Sequence, residues 1–221
     1  MNVHSKDRFI LIDVDTQFDF MDPQGKLYVP GAEQCVSALK RLIHKAHQKN
    51  ISILSSVDAH PLDDPEFEHF PPHCLVNTPG QLKIPETLLE EAFVVPQRGL
   101  TSSEKQRAKQ APQLILNKNV FDMYQNPNTA ALLRESDANI AVVCGVATEY
   151  CVKAAVEGLL NQGLRVWMVT DAIRGVDAHQ AQRALLTLEQ AGAERVNTQE
   201  VISHWNLTPS HTITHTEGVH L

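Results

Sequence analysis

The sequence predicts an α/β fold: a three-layer, Rossmann-like α/β/α domain built on a mostly parallel sheet of six strands. Two patterns carry this prediction. Short, almost wholly apolar runs recur along the chain, and stretches with apolar residues at helical spacing lie between them. Buried strands that alternate with amphipathic helices are typical of a parallel sheet covered on both faces. A chain of 221 residues suits one domain, so we expect residues 1–221 to fold as a single unit.

Each predicted element rests on its own local pattern. The apolar runs predict strands at 9–14, 51–57, 114–116, 140–144, 164–169 and 194–197. Helical periodicity predicts helices at 36–46, 130–134, 148–161 and 178–190, and Gly163 and Gly192 stand where helix C-caps are expected. The Pro-rich segment 59–112 breaks this rhythm and is typical of a functional loop. The polar, His-containing residues 203–221 predict a flexible tail, with a histidine ligand cluster as the alternative.

Charge and hydropathy exclude several classes of function. A net charge of −7 without a basic stripe argues against a nucleic-acid surface. No apolar run approaches the roughly 18 residues of a membrane span, and Met1–Arg8 has no signal-like apolar core, so we expect a cytoplasmic protein. The four cysteines form no C-x-x-C pair and are expected to be free thiols.

Chemically capable side chains follow four of the predicted strands. Asp15 comes after the first strand, Asp58 and His60 after the second, Lys118 after the third, and Cys151 after the fourth. In an open parallel sheet, ligands bind beyond the carboxyl ends of the strands. We therefore expect these residues to meet at one edge of the sheet.

Cys151 is the candidate nucleophile. Thr148 is a plausible N-cap, which would place Cys151 in the first turn of a helix, where negative charge on a thiolate is favoured. Asp15 can take the thiol proton and pass it to a leaving amine, while Lys118 keeps the carboxylate ionised. A buried, inert thiol and surface ion pairs are the alternatives. Asp13, on the opposite side of its strand from Asp15, is the competing carboxylate.

Asp58, His60 and His73 form a mixed oxygen and nitrogen ligand set that suits a divalent first-row metal. Solvated histidines in a polar loop are the alternative. Three further residues of the same loop are additional candidates: Glu66, Glu68 and His69.

These segments together resemble the nicotinamidase/pyrazinamidase branch of the isochorismatase-like cysteine hydrolases, over about residues 9–202. Asp15-Thr16-Gln17-Phe18-Asp19-Phe20 is similar to the D-x-Q-x-D-F motif of that family, and Asp58-Ala59-His60-Pro61 to its D-x-H-P metal motif. The other matching segments are Phe70-Pro71-Pro72-His73-Cys74 with Thr78-Pro79-Gly80, Gly145-Val146-Ala147-Thr148-Glu149-Tyr150-Cys151-Val152, and Asp171-Ala172-Ile173-Arg174-Gly175.

The resemblance implies a role for each matching position. It implies hydrolysis of a small amide, nicotinamide in the first place, by a homo-oligomeric enzyme with one divalent metal, zinc or else manganese or iron. It also implies a cis peptide between Val146 and Ala147. The implied residues are a triad of Asp15, Lys118 and Cys151, an oxyanion hole of the Ala147 and Cys151 N–H groups, metal ligands Asp58, His60 and His73 with Glu66 as a further candidate, and ring-flanking Phe20, Phe70 and Phe121.

Departures from the family pattern concern the substrate rather than the chemistry. Ala59 stands where an aromatic residue is common, and 119–124 replaces a Ser-Ala/Gly-Phe segment. A ureide, a carbamoyl compound or another small amide is therefore the alternative substrate, for which relatives generally lack the D-x-H…H set. A catalytically silent metal-binding protein of the same fold is the third hypothesis.

Overall fold

A computed structural model describes residues 7–207. Seven parallel strands form one sheet in the order β3-β4-β2-β1-β5-β6-β7. They are β1 Phe9–Val14, β2 Ser52–Asp58, β3 Phe93–Val95, β4 Leu114–Lys118, β5 Ile140–Val146, β6 Arg165–Arg174 and β7 Glu194–Val196. The predicted fold class is confirmed, but the predicted count of six strands is wrong by one. The extra strand, β3, lies within the segment that we expected to be irregular.

Seven α-helices connect or flank the strands of the described chain. They are α1 Phe18–Met21, α2 Val36–Gln48, α3 Ser102–Gln110, α4 Thr129–Glu135, α5 Lys153–Asn161, α6 Ala178–Gln190 and α7 Thr198–Leu207. Gly163 and Gly192 follow α5 and α6 with φ of 81° and 107°, as their predicted place at helix C-caps requires.

Helices cover both faces of the sheet, which explains why the central strands β1 and β5 are buried along their whole length. On one face, the helix α2 residues Leu39, Leu42 and Ile43 pack in a cluster with Trp205 of α7. On the other face, α5 contributes apolar side chains to a second cluster. One core therefore lies on each side of a fully buried sheet.

Helix α3 and strand β3 were missed because their apolar signal is weak. Only Ala108 of α3 is buried, so the helix has little amphipathic pattern. Its start is nevertheless marked in the sequence: Thr101 accepts a hydrogen bond from the Glu104 backbone, and Glu104 accepts one from the Thr101 backbone. This reciprocal capping box is a recognisable T-x-x-E signal. Strand β3 has only three residues, too few for a periodic pattern.

The segment 59–112 contains three short 3₁₀ turns, Pro65–Glu68, Pro79–Gln81 and Pro85–Thr87. Each begins with proline, whose fixed φ suits the first position of a helical turn. Two isolated β-bridges, Gln17–Lys83 and His60–Leu75, involve residues of this segment. It therefore packs against the residues that follow β1 and β2.

The carboxyl-terminal helix α7 extends into the predicted flexible tail. Residues 203–207 belong to this helix, and Trp205 is fully buried. The apolar Trp205 side chain explains why the chain remains ordered past residue 203. The remainder of the predicted tail, 208–221, lies outside the described residues. No helix within 7–207 is long and apolar enough to cross a membrane.

Candidate active site

Four adjacent strands, β4, β2, β1 and β5, bring the predicted residues to one edge of the sheet. Asp58 and Lys118 end β2 and β4, and Asp15 follows β1 directly. Cys151 lies five residues after the end of β5, in the turn that leads to α5. From β1 the sheet grows in one direction through β2 and β4 and in the other through β5 and β6, and an open α/β sheet places its ligand-binding crevice where the strand order reverses in this way.

Asp15 occupies a left-handed backbone conformation, with φ of 49°. Its amide donates to the Ser56 carbonyl at 3.1 Å, and its Oδ1 accepts a hydrogen bond from the Ser56 hydroxyl at 2.6 Å. The side chain is fully buried. Strand β2 thus holds both the backbone and one carboxylate oxygen, leaving Oδ2 directed at other groups of the site.

Lys118 lies at the centre of the site and has no solvent exposure. Its ammonium nitrogen is 2.8 Å from Asp15 Oδ2 and donates to Asp58 Oδ1 and, at 3.5 Å, to Cys151 Sγ. The nearest side-chain atoms of Asp15, Asp58 and Cys151 lie within 4.8 Å of one another. The structure therefore brings together all three residues of the predicted triad.

The turn that carries Cys151 differs from the predicted helix start. Residues Thr148–Val152 form one π-helical turn before α5, and Ala147 rather than Thr148 occupies the N-cap position. The Val152 amide donates to the Ala147 carbonyl, the wider spacing that defines this turn. The peptide between Val146 and Ala147 is cis. Gly145, with φ of 111°, precedes it because a β-carbon there would overlap the Val14 carbonyl oxygen.

Burial determines the protonation of the nucleophile. Burial raises the pKa of the Cys151 thiol well above its ordinary value, and the nearby Lys118 ammonium only partly opposes it. Burial also raises the pKa of Asp15, against the effect of Lys118. For Lys118 itself, burial is outweighed by the two carboxylates, so its pKa lies well above the ordinary value. These directions favour the neutral thiol over the thiolate, and Asp15 is the adjacent carboxylate that could take its proton.

The predicted metal-ligating residues also converge. Asp58 Oδ2 lies 3.7 Å from His60 Nε2 and 3.9 Å from His73 Nε2. Ligand atoms bound at about 2.0–2.2 Å to one ion lie no more than about 4.4 Å apart, and these distances satisfy that bound. Both ring nitrogens of His60 are buried without a hydrogen-bond partner, and Nε2 is the one that faces Asp58 and His73, so it is available to an ion. The donor set therefore fits a divalent metal.

The Nδ1 atom of each histidine ring has an oxygen atom as its neighbour. His60 Nδ1 lies 3.0 Å from Asp64 Oδ2, and His73 Nδ1 lies 2.9 Å from the Pro71 carbonyl oxygen. Such contacts direct Nε2 of each ring toward a metal. The sequence analysis missed Asp64, although its spacing of four residues from His60 was a usable signal. Asn119 in turn donates to Asp64 at 3.0 Å.

Glu66 lies at the margin of this set. Its Oε1 is 3.8 Å from His73 Nε2, and the side chain is only partly buried. The other two loop candidates, Glu68 and His69, have no contact with the cluster that the structure records, and His69 is exposed.

An apolar pocket opens in front of Cys151. Its lining includes Phe20, Phe70 and Phe121, the three predicted ring-flanking residues, together with Ala147 and Cys151. Phe70 and Phe121 form an aromatic group with Tyr150, with ring centroids 5.3–6.1 Å apart. Phe20 packs beside the His73 ring at 5.3 Å. Tyr150 was missed because it was considered only as part of the nucleophile motif.

Asp13, the competing carboxylate, belongs to a different cluster. Its side chain accepts hydrogen bonds from Lys83, Ser55 and Thr16 rather than from groups beside Cys151. The alternation of side chains along β1 explains the difference.

Comparison with known proteins supplies the family. The model of the isochorismatase domain matches residues 9–200. The chain belongs to the isochorismatase family. Among characterised members, the nicotinamidase of Escherichia coli K12 is 30% identical over 215 residues, covering 90% of this chain and 97% of the relative. The nicotinamidase/pyrazinamidase of Mycobacterium tuberculosis is 26% identical, covering 84% of this chain and 97% of the relative.

Solved structures of the family agree with this assignment. The pyrazinamidase of Pyrococcus horikoshii in complex with zinc has a TM-score of 0.71 and 28% identity, covering 86% of this chain and 99% of that chain. N-carbamoylsarcosine amidase from Thermoplasma acidophilum shares the fold, with a TM-score of 0.68 and 20% identity over 86% of this chain and 96% of that one. The predicted family, its nicotinamidase branch and the amide-hydrolysing class of enzyme are confirmed.

Proposed function

We propose that this isochorismatase-family enzyme hydrolyses nicotinamide to nicotinic acid and ammonia, through a thioester on Cys151. One observation carries the proposal: a buried lysine joins a carboxylate, a thiol and a metal-type donor set at the mouth of an aromatic pocket. Asp58 links the two halves of the site, because Oδ1 contacts Lys118 while Oδ2 faces both histidines.

The residues of the chain account for each proton in the reaction. Asp15 takes the proton of Cys151, and the sulfur attacks the carboxamide carbon. The N–H groups of Ala147 and Cys151 are the proposed donors to the resulting oxyanion. The C–N bond then breaks, and the proton on Asp15 leaves with ammonia. Asp15 next takes a proton from water, whose oxygen attacks the thioester; the acid is released and Cys151 regains its proton.

Asp58, His60 and His73 would hold one divalent metal, for which we propose zinc, with Glu66 as a candidate further ligand. When bound, the ion supplies a Lewis acid to which a basic ring nitrogen can bind. Phe20, Phe70 and Phe121, which all line the pocket, are the proposed contacts for a flat ring. A pyridine carboxamide combines the two features that this pocket offers, an apolar face and a basic ring nitrogen.

The proposed location is the cytoplasm. The support is that Cys35, Cys74, Cys144 and Cys151 are all free thiols in the described structure, as expected in a reducing compartment.

The proposed substrate is tested by ammonia release from purified, metal-loaded protein. We expect turnover of nicotinamide with a kcat/KM at least tenfold above that of N-carbamoylsarcosine, which lacks an aromatic ring. The order of the two values decides between a pyridine carboxamide and a carbamoyl compound. Higher turnover of the carbamoyl compound would overturn the proposal.

The role of the metal is tested by removing one proposed ligand. His73→Ala should weaken metal binding by more than about a hundredfold, because even residues behind a ligand contribute ten- to a hundredfold. Metal content after dialysis and ammonia release should fall together. His69→Ala is the matched control, since His69 is exposed in the same loop, and it should retain both. Full activity of a metal-free His73→Ala protein would contradict a catalytic metal. Reloading the chelator-treated wild type with zinc, manganese or iron identifies the ion.

A further inference from the structure

A second buried ion pair lies beside the active site, and the proposed chemistry does not use it. Lys83 donates to Asp13 Oδ2 at 2.6 Å and to the Thr16 hydroxyl at 2.7 Å. The Thr16 hydroxyl donates to Asp13 Oδ1 at 2.9 Å. Asp13 and Thr16 are fully buried, and the Lys83 side chain is almost so. We call these three residues the Asp13–Thr16–Lys83 clamp.

The clamp is fully satisfied, yet its stabilising value is small. Ser55 donates to Asp13 Oδ2 at 2.9 Å, so both carboxylate oxygens have partners. A buried ion pair loses much of its attraction to the cost of removing two charges from water, and an apolar pair of similar volume is often as stable. The clamp therefore suggests a role other than stability.

The position of the clamp indicates that role. The side chains of Asp13 and Thr16 are hydrogen-bonded to each other. Asp15 is one of the two residues that lie between them in the chain. The left-handed φ of Asp15, 49°, is unfavourable for a residue with a β-carbon and persists only where the surroundings impose it. The backbone of Thr16, the residue after Asp15, is also held: its carbonyl accepts a hydrogen bond from the Ile84 amide at 3.0 Å, next to Lys83 in the chain.

We infer that the Asp13–Thr16–Lys83 clamp is a positioning device that holds Asp15 in its left-handed conformation, with its carboxylate beside Cys151 and Lys118. Ser56 holds the Asp15 amide and Oδ1 from strand β2, and the clamp holds the residue that follows Asp15. We expect that the Ser56 contacts alone do not keep the left-handed φ, so that without the clamp Asp15 relaxes toward extended backbone and its carboxylate moves away from the thiol. The inference rests on the proposed function for the role of Asp15 as the base. Asp15 does not line the apolar pocket, so the clamp affects kcat rather than KM.

The test compares Thr16→Val with Thr16→Ser. Valine has nearly the shape of threonine but lacks the hydroxyl that joins residue 16 to Asp13 and Lys83, whereas serine retains it. We expect Thr16→Val to lower kcat for nicotinamide at least tenfold, because small displacements of a catalytic group are costly, with KM changed less than twofold. Thr16→Ser should keep kcat within about threefold of the wild type. A crystal structure of Thr16→Val should show Asp15 outside the left-handed region.

A double variant separates positioning from stability. Lys83→Met alone should lower the Tm, because it leaves the Asp13 carboxylate buried and unpaired. Asp13→Leu with Lys83→Leu removes both charges, and should recover most of the Tm but not the kcat. Asn139→Ala is the control for general destabilisation. Asn139 accepts from the Arg8 amide just before β5, at the opposite edge of the sheet, and this variant should keep full kcat.

Two results would overturn the inference. One is a Thr16→Val structure in which Asp15 keeps its left-handed φ, whatever the activity. The other is a double variant or Thr16→Val protein with wild-type kcat. The φ of Asp15 is measured without substrate, so the crystal structure tests the clamp even if the wild type does not hydrolyse nicotinamide. A wild type that does not hydrolyse nicotinamide would contradict the proposed function alone.

Discussion

Cys151→Ala should abolish ammonia release, lowering kcat by at least about 10⁴-fold, because no other group can form the acyl intermediate. The protein should still fold, since the alanine side chain fits the buried site of a small thiol. It should also retain its metal, because Cys151 is not among the proposed ligands. Steady-state ammonia release gives the first reading. Mass spectrometry of acid-quenched wild type should show a nicotinoyl adduct on the peptide that contains Cys151.

Cys144→Ala is the matched control for that experiment. Cys144 is also a fully buried thiol, but it packs in the core on the other side of the sheet, with Sγ 3.6 Å from the Ile12 carbonyl oxygen. This variant should lose some stability and keep wild-type turnover. Substantial ammonia release by a clean Cys151→Ala preparation would exclude the thioester mechanism.

Lys118→Met should have the second largest effect, and it should act on both activity and stability. The substitution preserves the length of the side chain but leaves Asp15 and Asp58 buried near each other without the ammonium group that lies between them. Like charges in a buried site repel, so Asp15 is driven toward its protonated form and cannot act as a base. We expect kcat to fall at least about a thousandfold. Removing one partner of a buried ion pair typically costs about 3–5 kcal/mol in the free energy of unfolding.

The matched control for Lys118→Met is Lys153→Met. Lys153 also pairs with a carboxylate, at 2.6 Å from Glu157, but both side chains are more than a third exposed. Exposed pairs contribute about 0–1 kcal/mol, so this variant should change neither stability nor turnover appreciably. Urea unfolding and ammonia release measure the two effects. A Lys118→Met protein with both near wild type would exclude a central role for this lysine.

The fold class followed from local patterns because the sheet is buried on both faces. A strand covered by helices is buried along its whole length, so β1 and β5 appear as nearly continuous apolar runs. Of the elements that were missed, β3 and α1 are short and α3 is only weakly apolar, while the end of α7 falls in the segment that was predicted to be a flexible tail. Their positions depend on contacts with distant parts of the chain, such as the pairing of β3 with β4 and the burial of Trp205. A short stretch of sequence does not contain these contacts.

The meeting of the candidate catalytic residues was also predictable, because each of them ends or follows a strand and parallel strands end at one edge. The contacts within it were not. That Lys118 binds both carboxylates, that Asp58 links the triad to the histidines, and that Asp64 orients His60 all depend on distances between segments far apart in the chain.

Cys151 illustrates both what the sequence predicts and what only the tertiary structure decides. Its place after an apolar strand and its motif suffice to identify it as the nucleophile candidate. The sequence does not reveal that the tertiary structure buries this thiol, and burial raises its pKa against the effect expected of a helix start. The place of a residue at the end of a parallel strand decides which groups meet, because parallel strands all end at one edge of the sheet. Only packing decides how far water is excluded, and therefore which of those groups carry a charge.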